Sequence, residues 1–271
     1  MSASVPLVVR WLSKIGLIPR AAVAQLDVRR TPLASSVLDA ARLAEQTYHA
    51  LDKLGHDIVL IARMGQNLSQ FGLTYSHLGF AVRGLRRGDW AVVHLLNAED
   101  GTRSGIYQEG MVNFYSDQPY RFEAALLTLP VDVQTHLREV LTTHSKSLHN
   151  ANYSLTAYPW ALEVQNSNQW VLEVLATALM GDTVEEPSRE KAQEWLRAQG
   201  YVGSELKIGL PTQWSGPLLR DSIRFTDQPA EPRRAGIVQT VTVDSVVHWL
   251  QGAKSPLGAN RTDARLVELA L

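Results

Sequence analysis

The sequence predicts an α+β fold in which helices pack on a central antiparallel sheet. The clearest observation is a hairpin signature. Residues 74–82 and 90–96 are rich in aromatic and β-branched side chains, and the polar link between them contains Gly84 and Gly88. Helical spacing of apolar residues occurs both before and after this run. Antiparallel strands flanked by helices are typical of an α+β arrangement rather than of a doubly wound α/β sheet.

The other elements follow from capping residues, stop signals and apolar spacing. Ser36, Ser188 and Asp244 are predicted N-caps, Gly55 is a predicted stop, and the chain after Lys254 has no pattern that favours regular structure. Outside the hairpin, we predict helices over 37–54, 131–148, 168–180, 189–200 and 244–249, and strands over 58–62, 120–129, 205–209 and 237–243.

Composition excludes several classes of function. The chain has 271 residues, of which 45% are hydrophobic, so it can bury a substantial core. Its 26 basic and 27 acidic residues give a net charge of -1, which provides no electrostatic footprint for nucleic acid. The absence of cysteine excludes disulfides, zinc-thiolate sites and a thiol nucleophile. We therefore expect no nucleic-acid partner.

We divide the chain into an N-terminal segment over 1–30, a core over 31–185 and a C-terminal elaboration of the same domain over 186–271. The apolar stretch 5–18 contains Arg10 and Lys14, and 22–24 resembles a signal-peptidase site. The segment is therefore a degraded export signal or an amphipathic lead-in helix. The first reading implies a periplasmic or exported protein, and the second a cytoplasmic one. No stretch is long and apolar enough to predict stable membrane insertion.

Two histidines stand on the predicted hairpin. His77 lies on the first strand and His94 on the second, where cross-strand neighbours are about 5 Å apart. One imidazole can then act as a base while the other fixes its tautomer, the role that a carboxylate has in serine triads. Asn97 is the reserve candidate for the orienting role. Taken alone, a histidine in the middle of a strand is also compatible with a packed core residue.

These motifs resemble those of a known superfamily. The His77-Leu78-Gly79-Phe80 strand, the Val93-His94 strand, Gly105-Ile106-Tyr107 and Asn166-Ser167-Asn168 at a helix start are similar to the circularly permuted papain-like (NlpC-type) superfamily, which includes cell-wall peptidases and lecithin retinol acyltransferases. The longer phrases at 63–69 and 165–170 resemble an uncharacterised bacterial family, domain of unknown function 2145. The first resemblance implies a permuted papain-like fold with His77, His94 and Ser167 as catalytic residues.

Ser167 departs from the pattern that this resemblance implies, because the position is expected to hold cysteine. A helix start lowers the pKa of a thiol, whereas a serine hydroxyl has to give its proton to a base during the attack. Three readings remain open: a working serine variant, a binding protein without turnover, or a cysteine replaced deliberately. Ordinary helix capping also explains a serine here.

Further candidates surround this trio. We predict that substrate contacts come from Tyr75, Asn166, Asn168 and Trp170, although aromatic side chains at these spacings also suit a core. Glu173 is expected to pair with a surface cation. The remaining histidines lack the spacing of helical metal ligands and the glycines form no phosphate loop, so we expect no metal and no cofactor.

The expected function is hydrolysis or transfer of an acyl group at an amide or ester bond. The alternative is a catalytically inactive binding protein that retains the cleft. The resemblance suggests a small peptide, a cell-wall fragment or a lipid ester as substrate. The sequence does not determine the oligomeric state.

Overall fold

A computed structural model describes residues 34–86, 88–98, 101–117, 119–183, 185–209 and 222–271. The candidate export signal over 1–30 lies outside these residues. Within them, the chain forms a six-stranded antiparallel sheet with helices on both faces, so the predicted α+β class is confirmed. The strand order is β4-β3-β2-β1-β5-β8, with β1 (Ile58–Arg63), β2 (His77–Arg86), β3 (Gly88–Asn97), β4 (Ser104–Glu109), β5 (Glu123–Leu127) and β8 (Leu266–Ala270).

The helices and the second sheet complete the fold. β6 (Ser204–Lys207) and β7 (Ile237–Thr240) form a separate two-stranded sheet. The helices are α1 (Ala34–Leu54), α2 (Met111–Ser116), α3 (Val131–Glu139), α4 (Ser167–Met180), α5 (Arg189–Ala198), α6 (Ala230–Arg234) and α7 (Val243–Gln251). A π-helical turn over Val140–His144 continues α3, and short 3-10 turns lie at Ser69–Phe71, Gly181–Thr183 and Gly258–Asp263.

The two faces of the central sheet bury different clusters, because successive side chains of a strand point to opposite faces. Val59, Ala81 and Val92 face α1 and α2. Leu78 and Phe80 face the other layer, where the Phe80 ring meets the ring of Trp170 on α4 with centroids 6.2 Å apart. α4 is buried along most of its length, as its nearly continuous apolar sequence predicts.

Several predicted boundaries are wrong. Ser36 lies inside α1 instead of capping it, and α7 is capped by Thr242, whose hydroxyl accepts a hydrogen bond from Ser245 N, instead of by Asp244. β4 and α2 are not among the predicted elements. The chain after Lys254 has no pattern that predicts regular structure, yet β8 pairs with β5 at an edge of the central sheet. Alternate residues of β8 are exposed, so its apolar pattern is weak.

A buried polar network holds α4 against α5. The carboxylate of Glu173 accepts hydrogen bonds from Arg189 (Nε to Oε2, 2.8 Å), Gln193 (2.7 Å) and Gln165 (2.6 Å). Burial raises the pKa of Glu173, and these three partners oppose that shift. Arg189 is itself only 7% exposed, so the prediction that Glu173 pairs with a surface cation is wrong. Arg189 also donates to the carbonyl of Leu162 and so anchors the loop that leads into α4.

Candidate functional site

The start of α4 is fixed by a capping box. The side chain of Asn166 accepts a hydrogen bond from Gln169 N (2.7 Å), and the Gln169 side chain accepts one from Asn166 N (3.3 Å). Asn166 also donates to Thr240 Oγ1 (2.9 Å) and is 3% exposed. It therefore caps the helix, and all the contacts described for it are structural. Ser167 becomes the first residue of the helix, where the positive end of the helix dipole lies.

Asn168 joins this helix start to the strand that carries His77. Its Oδ1 accepts a hydrogen bond from Leu78 N (3.0 Å), and its Nδ2 donates to Ser76 O (3.3 Å). The two bonded backbone groups flank His77. Asn168 thus ties Ser167, its neighbour in sequence, to the backbone around the predicted base.

The two imidazoles are hydrogen bonded to each other, with Nε2 of His77 2.9 Å from Nδ1 of His94. Their positions on the sheet differ from a simple cross-strand pair. The register pairs Phe80 with Val93, so His94 faces Gly79, and His77 lies two residues before Gly79 on the same face. The pair is diagonal, and the rings meet because residue 79 has no side chain between them.

Replacing Gly79 with alanine is expected to disturb this pair. A Cβ at that position would lie 3.1 Å from Cβ of His94, 3.1 Å from Cγ1 of Val92 and 3.2 Å from Val93 O. Overpacking of this kind costs about 1–3 kcal/mol of the free energy of unfolding, measured by urea denaturation. Gly110→Ala is a suitable control because a Cβ there meets nothing within 4 Å. Equal effects of the two substitutions would contradict the crowding argument.

The two histidines lie on the face of the sheet that α1 and α2 cover. Both rings pack against Phe114 of α2, with centroid distances of 5.9 Å for His77 and 5.3 Å for His94. Ser167 approaches from the other layer, and its hydroxyl shares a hydrogen bond with the phenol of Tyr153, whose pKa burial raises to about 12. Among the described residues, no hydrogen bond joins Ser167 to His77. Asn168 connects the two layers at the start of β2, where His77 lies.

The surroundings of His77 favour a neutral imidazole. Burial lowers the pKa of His77 well below its usual value, and the nearby Arg63 cation and His94 lower it further. Arg63 lies opposite His77 in the β1–β2 register, stacks 5.3 Å from the Phe114 centroid and forms an ion pair with Asp117 (2.7 Å). A neutral histidine has a free nitrogen that can accept a proton.

The depressed pKa of His77 predicts a specific pH dependence of stability. Below about pH 6.5 the unfolded chain binds a proton at this residue and the folded chain does not, so stability falls as the pH falls. The loss reaches at most about 1.4 kcal/mol per pH unit until the folded pKa is passed. Urea denaturation at several pH values should therefore show a smaller loss for His77→Gln than for the unaltered chain. An identical pH dependence would contradict this account.

The remaining predicted substrate contacts lie in the core. Trp170 is fully buried and its indole N–H donates to Ser145 O (3.2 Å), so it has no surface for a ligand. Tyr75 is 8% exposed, and its hydroxyl donates to Oε1 of Glu268 (3.2 Å) on β8. Burial raises its pKa. These two residues support the fold at the back of the site.

Three residues of the site are not among the predicted ones. Arg63, Glu109 and Tyr153 surround the trio, but none is part of a motif that signals chemistry. Arg63 could have been found, since an arginine that ends an apolar strand needs a buried partner. Asn97, the reserve candidate for orienting His77, instead bonds the carbonyl of Ala98 (3.3 Å).

Among the described residues, no group of three or more histidine, aspartate and glutamate side chains is arranged to hold a metal ion. No helix in the same part of the chain is long and apolar enough to cross a membrane.

Comparison with known proteins places the chain in a family. A family model described as "Uncharacterized protein conserved in bacteria (DUF2145)" matches residues 50–250, which contain all the residues of the site. Neither a curated protein nor a solved structure matches the chain.

Proposed function

Because the chain belongs to the uncharacterised bacterial family DUF2145, whose description carries no activity, we propose its function from the site: a hydrolase or acyltransferase acting on an amide or ester bond. The fold proposed with it is the permuted papain-like, NlpC-type arrangement. The observation that carries the proposal is the pair of hydrogen bonds on the two sides of His77, in which Asn168 accepts from Leu78 N and donates to Ser76 O. They hold the helix start that carries Ser167 against the strand that carries the base.

In this proposal Ser167 is the nucleophile and His77 is the general base. The hydroxyl oxygen attacks the acyl carbonyl carbon, its proton passes to Nδ1 of His77, and the leaving group departs with that proton. Water or a second alcohol or amine then attacks the acyl-serine and completes hydrolysis or transfer. Nε2 of His77 already bonds His94, so His94 stabilises the imidazolium that forms.

The neutral state of His77 supports a hydroxyl nucleophile. A serine needs a base that is unprotonated before the attack, and both burial and Arg63 favour that form. For the proton to transfer, the Ser167 hydroxyl has to turn from Tyr153 towards His77. Backbone N–H groups at the start of α4 are suitable donors for the developing oxyanion.

A binding protein without turnover is the second candidate. The hydrogen bond between Ser167 and Tyr153 favours it, because that contact occupies the hydroxyl in the absence of substrate. The two candidates differ in whether Ser167 reacts.

A fluorophosphonate probe separates them, since it forms a covalent phosphonyl ester only with an activated serine and releases fluoride. We expect intact-mass spectrometry to show one adduct that maps to Ser167 and is lost in Ser167→Ala. Ser147→Ala, at an exposed serine, is the matched control and should label normally. Labelling that persists in Ser167→Ala, or that never occurs on the folded protein, would favour the binding protein.

We further propose a periplasmic or exported location with a small peptide, cell-wall fragment or lipid ester as substrate. The support is the apolar segment and the small-residue sequence at 22–24. N-terminal sequencing of the protein from fractionated bacteria tests this proposal. Cleavage after residue 24 is the expected result, and an intact N-terminus in the cytoplasmic fraction would contradict it.

A further inference from the structure

A carboxylate lies beside the second histidine. Oε2 of Glu109 is 3.3 Å from Nε2 of His94, while Nδ1 of the same ring faces His77. His94 is fully buried and the Glu109 side chain is 25% exposed. Glu109 ends β4, two residues beyond Tyr107, which pairs with His94, so its side chain points to the face of the sheet that carries both imidazoles.

The ring nitrogens of the two histidines cannot take their protons independently. In the bond between Nε2 of His77 and Nδ1 of His94, one nitrogen donates and the other accepts. If His94 carries its proton on Nε2, its Nδ1 must accept, and His77 must carry its own proton on Nε2. Nδ1 of His77 is then unprotonated. If His94 carries its proton on Nδ1, the order reverses and His77 has no free Nδ1 for a proton.

The position of Glu109 selects between these two states. A buried N–H without an acceptor costs free energy, and Nε2 of His94 has no aligned hydrogen-bond partner among the described residues. The carboxylate at 3.3 Å is the charge that a proton on this nitrogen would face. At 3.3 Å the two atoms are close enough for an ion pair, but their geometry is not that of a hydrogen bond. A small rotation of the half-buried Glu109 side chain would align the carboxylate with the Nε2–H of His94 and form the hydrogen bond.

We propose that Glu109 is a positioning residue that holds the proton of His94 on Nε2 and, through the His94–His77 bond, keeps Nδ1 of His77 free to act as a base. The consequence for catalysis depends on the proposed function, but the tautomer assignment does not. Glu109 does not touch the substrate in this account. Its effect reaches the base through one intervening ring.

The test is NMR of the chain with ¹⁵N-labelled histidine, recorded at neutral pH, where protonated and unprotonated ring nitrogens have well-separated ¹⁵N shifts. We expect the protonated-type shift at Nε2 and the unprotonated-type shift at Nδ1 for both His77 and His94. Glu109→Leu should exchange the two patterns in both rings. Glu109→Gln should keep the original pattern, because its amide oxygen still accepts. Glu190→Leu removes an exposed carboxylate elsewhere and should change neither ring.

The proposal is overturned if His94 carries its proton on Nδ1 in the unaltered chain, a result that needs no variant to fold. It is also overturned if Glu109→Leu leaves both patterns unchanged; Glu109→Ala replaces that variant should the leucine not fold. Fluorophosphonate labelling distinguishes a failure of the role proposed for Glu109 from a failure of the proposed enzymatic function. The expected tautomers without labelling would contradict the enzyme alone, whereas labelling with the opposite tautomers would contradict the role of Glu109 alone.

Discussion

Replacing Glu173 with alanine is expected to lower the free energy of unfolding by about 3–5 kcal/mol. The substitution leaves the guanidinium of Arg189 buried without its carboxylate, which is far more costly than losing an exposed ion pair. It also removes the acceptor of Gln165 and Gln193. Urea denaturation followed by circular dichroism measures the change.

The matched control removes both charges. Glu173→Leu combined with Arg189→Met replaces the pair with apolar groups, and such replacements are often close to neutral. We expect the double variant to be more stable than Glu173→Ala alone. If the single substitution costs under about 1 kcal/mol, the pair is not buried as described, because that is the range of exposed pairs.

Replacing His77 with alanine is expected to slow fluorophosphonate labelling of Ser167 by about 10²–10⁴-fold, the range that a general base contributes. Without the imidazole, the hydroxyl proton has no acceptor during the attack. The labelling rate is measured by quenching samples at successive times and determining the labelled fraction by intact-mass spectrometry. Unfolding should not account for this slower labelling, because the variant can be assayed at a temperature well below the midpoint of its thermal unfolding.

His144→Ala is the control for removing a histidine as such. His144 lies in the π-helical turn after α3, and no charge or ring partner is described for it. Its labelling rate should stay within about twofold of the unaltered chain, as for most surface substitutions. A His77→Ala variant that labels as fast as this control would show that His77 is not the base.

The hairpin, the long helices and the family could be predicted from the sequence alone. The hairpin could be predicted because both strands are buried on two faces and the link between them is polar. The resemblance to domain of unknown function 2145 is confirmed by the family match over residues 50–250. The helix start at Ser167 could be predicted because an asparagine cap and an apolar run are local signals.

The parts that could not be predicted depend on contacts far apart in the chain. Alternation along one strand does not say which helix covers which face, so the packing of His77 and His94 against Phe114 was not evident. β8 becomes a strand because the edge of β5 offers it backbone partners. Glu109 acquires its place beside His94 only through the β3–β4 register, which no turn residue specifies.

We propose that residue 167 lies at a helix start next to His77 acting as the base, and a thiol engineered at this position reports on both features. The chain has no cysteine, so Ser167→Cys gives a single thiol, and Ala41→Cys on the exposed side of α1 gives a matched control. We compare the midpoints of the pH–rate profiles for alkylation by iodoacetamide, and not the rates themselves. Residue 167 is only 7% exposed, so limited access alone would slow the reaction without moving the midpoint.

For Ser167→Cys we predict a midpoint below the free thiol pKa of about 8.5, because the positive end of the helix dipole stabilises the thiolate. Adding His77→Ala should shift that midpoint, because Nδ1 of His77 faces the thiol in this proposal, while the same addition to Ala41→Cys should leave it unchanged. A midpoint for Ser167→Cys at or above that of Ala41→Cys would contradict the claim.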